Sequence, residues 1–341
     1  MEFTSERILV DDSWETVMEY FCQQGWSDGL PVIPPTESSV SRMLDATRRD
    51  HSEIIGLVPP HMGEATVEKI AINAVMAGCL PEYLPVLITA VSAMCEEQLN
   101  LAALQATTHP TALLLIVHGP VVGSLEINAK SGVFGPGRRS NATLGRALRL
   151  ILMNTGGGLP GTTDMATQGQ PSKYTFCIAE NEAENPWEPF HVERGFSASE
   201  SAVTVASAEN PQNINDHWAT TGQELLMTLA GSIVSMGSNN IQTQKGEPIL
   251  ALGPEHAAML AKSGLSKDDI RKYLYENARV QRAGFHEKMV SRFYPDMENN
   301  ALIPQIPVKE NLLILVVGGP GKHSAFLPTF GHSISVTKAV T

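Results

Sequence analysis

Apolar residues along this chain recur in two rhythms. In the first, Trp14, Val17, Met18 and Phe21 fall at i, i+3, i+4 and i+7, one face of a helix from about Ser13 to Gln24. Ser13 is placed to cap that helix and Gly25 to end it. Thr36 caps a second helix carrying Val40, Met43 and Leu44, and Val67, Ile70, Ala71, Ala74 and Val75 mark a third from about Ala65 to Ala77. With Pro81 and Pro85 so close together, the next helix is expected to begin only at Leu84 or Pro85 and to run to about Met94. Further helices are expected at Asn141–Met153, Gly222–Met236, Pro254–Ser263 and Lys267–Ala278. Ser266 with Asp269 forms a capping box ahead of the last of these.

The second rhythm is the unbroken aliphatic run. Ile54–Val58, Leu113–Val117, Ile249–Leu252 and Leu312–Val317 are too short for helices and read as strands; the last three run into Gly-Pro turns. Those three continuous runs mark strands buried on both faces. The pattern predicts an α/β fold with a mixed or mostly parallel sheet and helices on both faces. The turn-prone stretch Asn210-Pro211-Gln212-Asn213 is the candidate boundary between a region 1–210 and a region 211–341, which can equally form one compact unit.

At 341 residues the chain can build one large domain or two ordinary ones. Its charged fraction of 18% is below the roughly 25% usual for a soluble domain, which points to surface buried in a homo-oligomer. Acidic residues outnumber basic ones by 36 to 24, for a net charge of −12, and there is no basic run. Nucleic acid and anionic membrane surfaces are therefore excluded as expected partners, whereas a small anion held by a local Arg cluster is compatible. The opening Met1–Glu6 stretch has no basic region followed by an apolar one, so no signal peptide is expected. Cys22, Cys79, Cys95 and Cys177 lie far apart without a Cys-x-x-Cys pair, which suits reduced thiols in a cytoplasmic protein.

Three stretches carry candidate chemistry. In Phe134-Gly135-Pro136-Gly137-Arg138-Arg139-Ser140-Asn141, a glycine loop enters a helix. Gly135 and Gly137 allow close backbone approach, Arg138 and Arg139 offer charge-assisted contacts, and the Asn141 helix end suits phosphate or carboxylate. The plainer reading is a helix N-capped by Ser140 or Asn141 with solvated arginines. Arg146 and Arg149 fall opposite the Leu144–Ala147–Leu148–Ile151 stripe and read as solvated.

The second stretch, Gly318-Gly319-Pro320-Gly321-Lys322-His323-Ser324, brings a cation, an imidazole and a hydroxyl to a strand end. It matches neither a P-loop nor a dinucleotide fingerprint. The third is acidic. If the strand ending at Ala179 continued, Glu180, Glu182 and Glu184 would share a face, with Glu188, His191 and Glu193 following. A divalent ion with oxygen ligands is one reading of this cluster and a solvated acidic turn the other; the cofactor stays open.

Single residues complete the set. Asp28 is a carboxylate in a stiff loop or an Asp-Gly turn former. Cys79 lies beside a helix N-terminus that would lower its pKa, or is a buried small hydrophobe. His109 and His118 flank the strand 113–117, His109 among polar neighbours and His118 at the strand's far end.

Trp26-Ser27-Asp28-Gly29-Leu30-Pro31-Val32-Ile33-Pro34-Pro35-Thr36 resembles the opening signature of a largely uncharacterised bacterial family. Ala74–Cys79, Asn141–Ala147 and Phe176–Glu182 are similar to its later blocks. The resemblance implies one coherent protein rather than a fusion and assigns no catalytic role to any residue.

The function expected from these features is an enzyme acting on a small anionic organic substrate by lyase or hydrolase-type acid–base chemistry. Arg138, Arg139, Gly135, Gly137, Asn141, Ser324 and His109 would bind the substrate, with Lys322, His323, Glu180, Glu182 and Asp28 as catalytic groups. A thiol enzyme built on Cys79 and a non-catalytic ligand-binding or scaffold subunit are the competing expectations.

Overall fold

Three of the aliphatic runs, 113–117, 249–252 and 312–317, form doubly buried strands, whereas Ile54–Val58 forms a strand with Ile54 and Leu57 exposed. The computed structural model describes residues 3–341, so part of the Met1–Glu6 stretch lies outside it. In chain order the strands begin with β1 (Ile54–Val58), β2 (Gly63–Thr66), β3 (Ala112–His118) and β4 (Cys177–Ala179). There follow β5 (Ala202–Ala208), β6 (Gln212–Asn215), β7 (Ile249–Leu252) and β8 (Arg279–Gln281). The last four are β9 (Leu302–Pro304), β10 (Leu313–Val316), β11 (His323–Leu327) and β12 (Val336–Ala339).

Two four-stranded sheets organise the molecule, one in the order β12-β5-β3-β4 and one in the order β10-β7-β11-β6. Both are mixed: β3 runs parallel to β4 and β10 parallel to β7, while the other pairings are antiparallel. β1 with β2, and β8 with β9, form separate two-stranded ribbons. Strand β12 crosses back from the C-terminal region to pair with β5, so residues beyond 211 complete the first sheet.

The period-two alternation of each strand decides what covers it. Leu115 and Val117 of β3, with Val203 and Val205 of β5, pack among helices 67–77, 84–94 and 139–154. Leu114 and Ile116 point the other way, into a layer shared with Ile249, Ala251, Leu313 and Leu315 of the second sheet. On that sheet's far side, Leu250, Leu252, Ile314 and Val316 meet helices 222–233, 254–262 and 267–277. The layers thus run helix, sheet, sheet, helix. Strands β3, β5, β7 and β10 are buried by helices on one face and by the partner sheet on the other.

Local signals explain most element ends. Pro81 and Pro85 place a short 3₁₀ turn, Pro81–Tyr83, before helix Leu84–Met94. The Ser266–Asp269 capping box forms at helix Lys267–Asn277. Three expectations change. Residues 63–66 form a strand, and the following helix starts at Val67 with Thr66 as its cap.

The helix over 139–154 opens at Arg139 with no side-chain cap, because Ser140 and Asn141 are buried in its first turn and bonded elsewhere. Ser140 Oγ donates to Glu126 O, while Asn141 accepts from Asn128 N–H and donates to Cys177 O. Finally, Gly318–Gly321 leads directly into strand β11, so His323 and Ser324, expected in a turn beyond a strand end, are strand residues.

Candidate functional site

Strands β3 and β4 run parallel and end together, at His118 and Ala179. His118 continues the Leu114–Ile116 alternation and so points into the layer between the sheets, where it is fully buried. Just past β4, Glu180 follows Ile178 on the same side. The chain then does not continue as a strand; Glu182–Glu184 turn into a 3₁₀ helix. The three glutamates therefore do not line one strand face, and Glu184 instead accepts from Asn181 Nδ2. Asn181 is pinned to the end of the second sheet, its N–H donating to Val316 O and its Nδ2 to Gly318 O. A one-turn helix, Phe190–Glu193, brings in His191.

His118, Glu180, Glu182 and His191 converge, each offering one donor atom within 4.8 Å of the others. Glu180 is buried and fully bonded. Its Oε2 accepts from Phe190 N–H at 2.9 Å and faces His118 Nδ1 at 3.2 Å, and its Oε1 accepts from Asn185 Nδ2 at 2.9 Å. Burial acts to raise the Glu180 carboxyl, but the His118 hydrogen bond, nearby Lys267 and the Phe190 N–H outweigh it and hold it below the usual range. Glu182 reaches solvent, at 26% side-chain exposure, with Oε1 fixed by Gly119 N–H at 2.7 Å. His191 Nδ1 lies 3.4 Å from that oxygen. Burial lowers the His191 pKa, and Glu182 opposes this only in part, so the ring is neutral at neutral pH.

Glu180 and Glu182 form part of the wall of a cleft of about 460 Å³. Lys130 and Arg138 line the same cleft, with Asn128 and Asn181 beside them. Arg138 and the acidic cluster, remote in sequence, thus face one space.

Comparison with family models, curated proteins and solved structures finds no match.

The remaining candidates fall elsewhere. Arg139 turns from the cleft and donates from Nε to Gly78 O, and Asn141 holds the Asn128 loop. Gly135 N–H closes a turn on Gly132 O, and Gly137 takes a left-handed φ of 116° ahead of Arg138. Cys79 is buried, which pushes its thiol up to about 12 although Thr143 and Arg139 oppose the shift. A helix N-terminus does not lower it.

Asp28 makes the expected turn bond to Leu30 N–H and also a two-pronged ion pair with Arg146. Arg146 is therefore paired, not solvated, and Arg149 lies against Asp164 at 3.4 Å. His109 stacks on Phe330 and meets Glu209 at the opposite end of β3 from His118. The length of β3 lies between them, six rises of about 3.3 Å or roughly 20 Å. Lys322 donates to the His217 carbonyl, and His323 faces His217 and Asn213 at the surface. Ser324 Oγ is buried against His256 Nδ1 at 2.8 Å. Neither Lys322, His323 nor Ser324 lines the cleft.

Sequence reasoning put Glu180 and Glu182 in the site and named His191 beside them, but it preferred His109 to His118. The signal for His118 was present: it extends the even-numbered, inward face of an aliphatic strand to the strand's carboxyl end.

Proposed function

We propose that this protein is an enzyme that acts on a small anionic organic molecule in this cleft, by lyase or hydrolase-type acid–base chemistry. The observation that carries the reading is the position of Glu182. Its carboxylate is exposed to the cleft, held by Gly119 N–H and backed by a neutral buried imidazole, in the same space as Arg138. Arg138 and Lys130 supply the positive charge that draws and orients an anion. The carboxylate and imidazole cluster supplies the proton-handling groups beside it. Glu180, ionised and saturated with hydrogen bonds, orients His118 and holds the Phe190–His191 turn in place.

The test is calorimetric titration with oxalate, malonate and inorganic phosphate. At least one should bind, and Arg138→Gln should weaken it by about 10-fold, the equivalent of one charge-assisted contact at ~1.4 kcal/mol. No binding by any of the three, or an unchanged affinity in Arg138→Gln, would refute the reading. The low charged fraction further supports a homo-oligomer; light scattering at micromolar concentration should give a mass of two chains or more, and a monomer mass would end that proposal.

A further inference from the structure

His191 is fully buried, and neither of its ring nitrogens has a hydrogen-bond partner among the described residues. A neutral imidazole carries one donor and one acceptor, and each buried group left unpaired costs about 1–3 kcal/mol. The contact with Glu182 at 3.4 Å is close enough for attraction but is not aligned as a hydrogen bond. Across the cluster, His118 has its Nε2 3.0 Å from Thr204 Oγ1, and Thr204 meets Thr337 Oγ1 at 2.9 Å. With an ion in place, Thr204 can accept from Nε2–H while donating to Thr337, which frees Nδ1 to ligate in place of its hydrogen bond to Glu180. That orientation of a second ring nitrogen is the usual support of a metal-bound imidazole. Glu180 is in turn fixed by Phe190 N–H and Asn185. Two carboxylates thus face two imidazoles, and at one of them the nearby Ser197 backbone and Glu182 complete no aligned hydrogen bond to either ring nitrogen.

The four donor atoms lie within 4.8 Å of one another, a span that ligands at about 2.0–2.2 Å from a common centre reach with small side-chain adjustments. We propose that His118, Glu180, Glu182 and His191 bind one divalent first-row transition ion of the zinc, manganese or iron(II) type. Paired imidazoles argue against calcium and magnesium, which take oxygen ligands. The absence of thiolate from the donor set argues against copper(I) and iron–sulfur centres. Because Glu182 reaches the cleft while the other three side chains are buried, an ion held here would border the cleft at its Glu182 side. This inference goes beyond the acid–base reading and does not depend on it.

The experiment uses the full chain, dialysed against a chelator and titrated with zinc by calorimetry and with cobalt(II) by visible absorption. One ion per chain is expected, with cobalt d–d bands. His191→Ala and Glu182→Gln should each weaken binding by at least about 10-fold, and His323→Ala, at the exposed His217–His323 pair, should leave it unchanged. Glu182→Gln sits at the solvent edge and carries the test where His191→Ala fails to fold. Substoichiometric binding, a preference for calcium or magnesium over zinc, or wild-type affinity in the site variants would overturn the proposal. A stoichiometric ion without oxalate, malonate or phosphate binding would uphold the metal site and refute the small-anion reading. Anion binding without an ion would do the reverse.

Discussion

Removing Asp28 tests how the proline-rich N-terminal loop is held to the body of the protein. Arg146, midway along helix 139–154, donates from Nε to Asp28 Oδ2 at 2.9 Å and from Nη2 to Asp28 Oδ1 at 2.8 Å. The same Nη2 reaches Leu30 O at 3.1 Å, so one guanidinium clamps both ends of the Asp28–Leu30 turn. Side-chain exposure is 14% for Arg146 and 4% for Asp28, which sets this pair apart from a surface ion pair. Exposed pairs contribute about 0–1 kcal/mol, whereas removing one partner of a buried pair costs about 3–5 kcal/mol. With part of the guanidinium still wet, Asp28→Ala should destabilise by about 2–4 kcal/mol. Arg146→Ala should do the same, because it leaves the carboxylate buried with only the Leu30 N–H. Urea unfolding of both single variants and the double variant, followed by tryptophan fluorescence, gives the coupling directly. A coupling of about 1.5–3 kcal/mol is expected. A value below about 0.5 kcal/mol would mean that the two residues act independently and that the pair does not hold the loop.

Three further outcomes follow from packing and charge. Leu114→Ala, which empties a fully buried position in the layer between the sheets, should cost about 2–5 kcal/mol in urea unfolding; less than about 1 kcal/mol would show that the two sheets are not closely packed there. Burial acts to raise the Glu68 carboxyl, but donors from Ser5 and Thr4 and a contact with His51 prevail and hold it at about 2 against an ordinary 4.5. The folded pKa is the lower one, so the stabilisation is complete above pH 4.5 and is lost as pH falls from there towards 2. It is on the order of 3 kcal/mol, and a Glu68→Gln protein whose acid unfolding curve matches the wild type would contradict this. Gly119 holds a left-handed φ of 78°, and a Cβ there would lie 2.2 Å from Glu200 O. Gly119→Ala should therefore destabilise by at least about 2 kcal/mol and displace the N–H that fixes Glu182, read as weaker binding of both anion and metal; wild-type stability and binding would refute it.

Much of the site's framework was legible in the sequence, but its membership was not. Glu180 and Glu182 stood out as an acidic cluster after a strand, and Arg138 as a cation after a glycine loop. Nothing local said that these two stretches face one cleft, because the Glu126–Asn128 loop that joins them is held by Ser140 and Asn141, residues whose evident local role was capping. His323 and Lys322 lay beyond a strand end as expected, but a strand follows their turn, and β11 carries them to a different edge of the molecule. The Asp28–Arg146 pair spans 118 positions and leaves no periodic trace.

The chain's own pattern determined most of the long helices and the aliphatic strands β3, β7 and β10, with their burial on both faces. Those properties follow from near neighbours: side-chain period, proline, and caps such as Thr36 and Ser266 act within a few residues. Only the tertiary structure decided that the second cover of each sheet is another sheet, since an aliphatic side chain is buried equally well by helix or strand. Only it brought His118, Glu180, Glu182 and His191 together, by ending two parallel strands side by side and folding a single helical turn over them. Burial is non-directional and can be read along the chain; convergence of polar atoms depends on distances between segments that the local pattern does not encode.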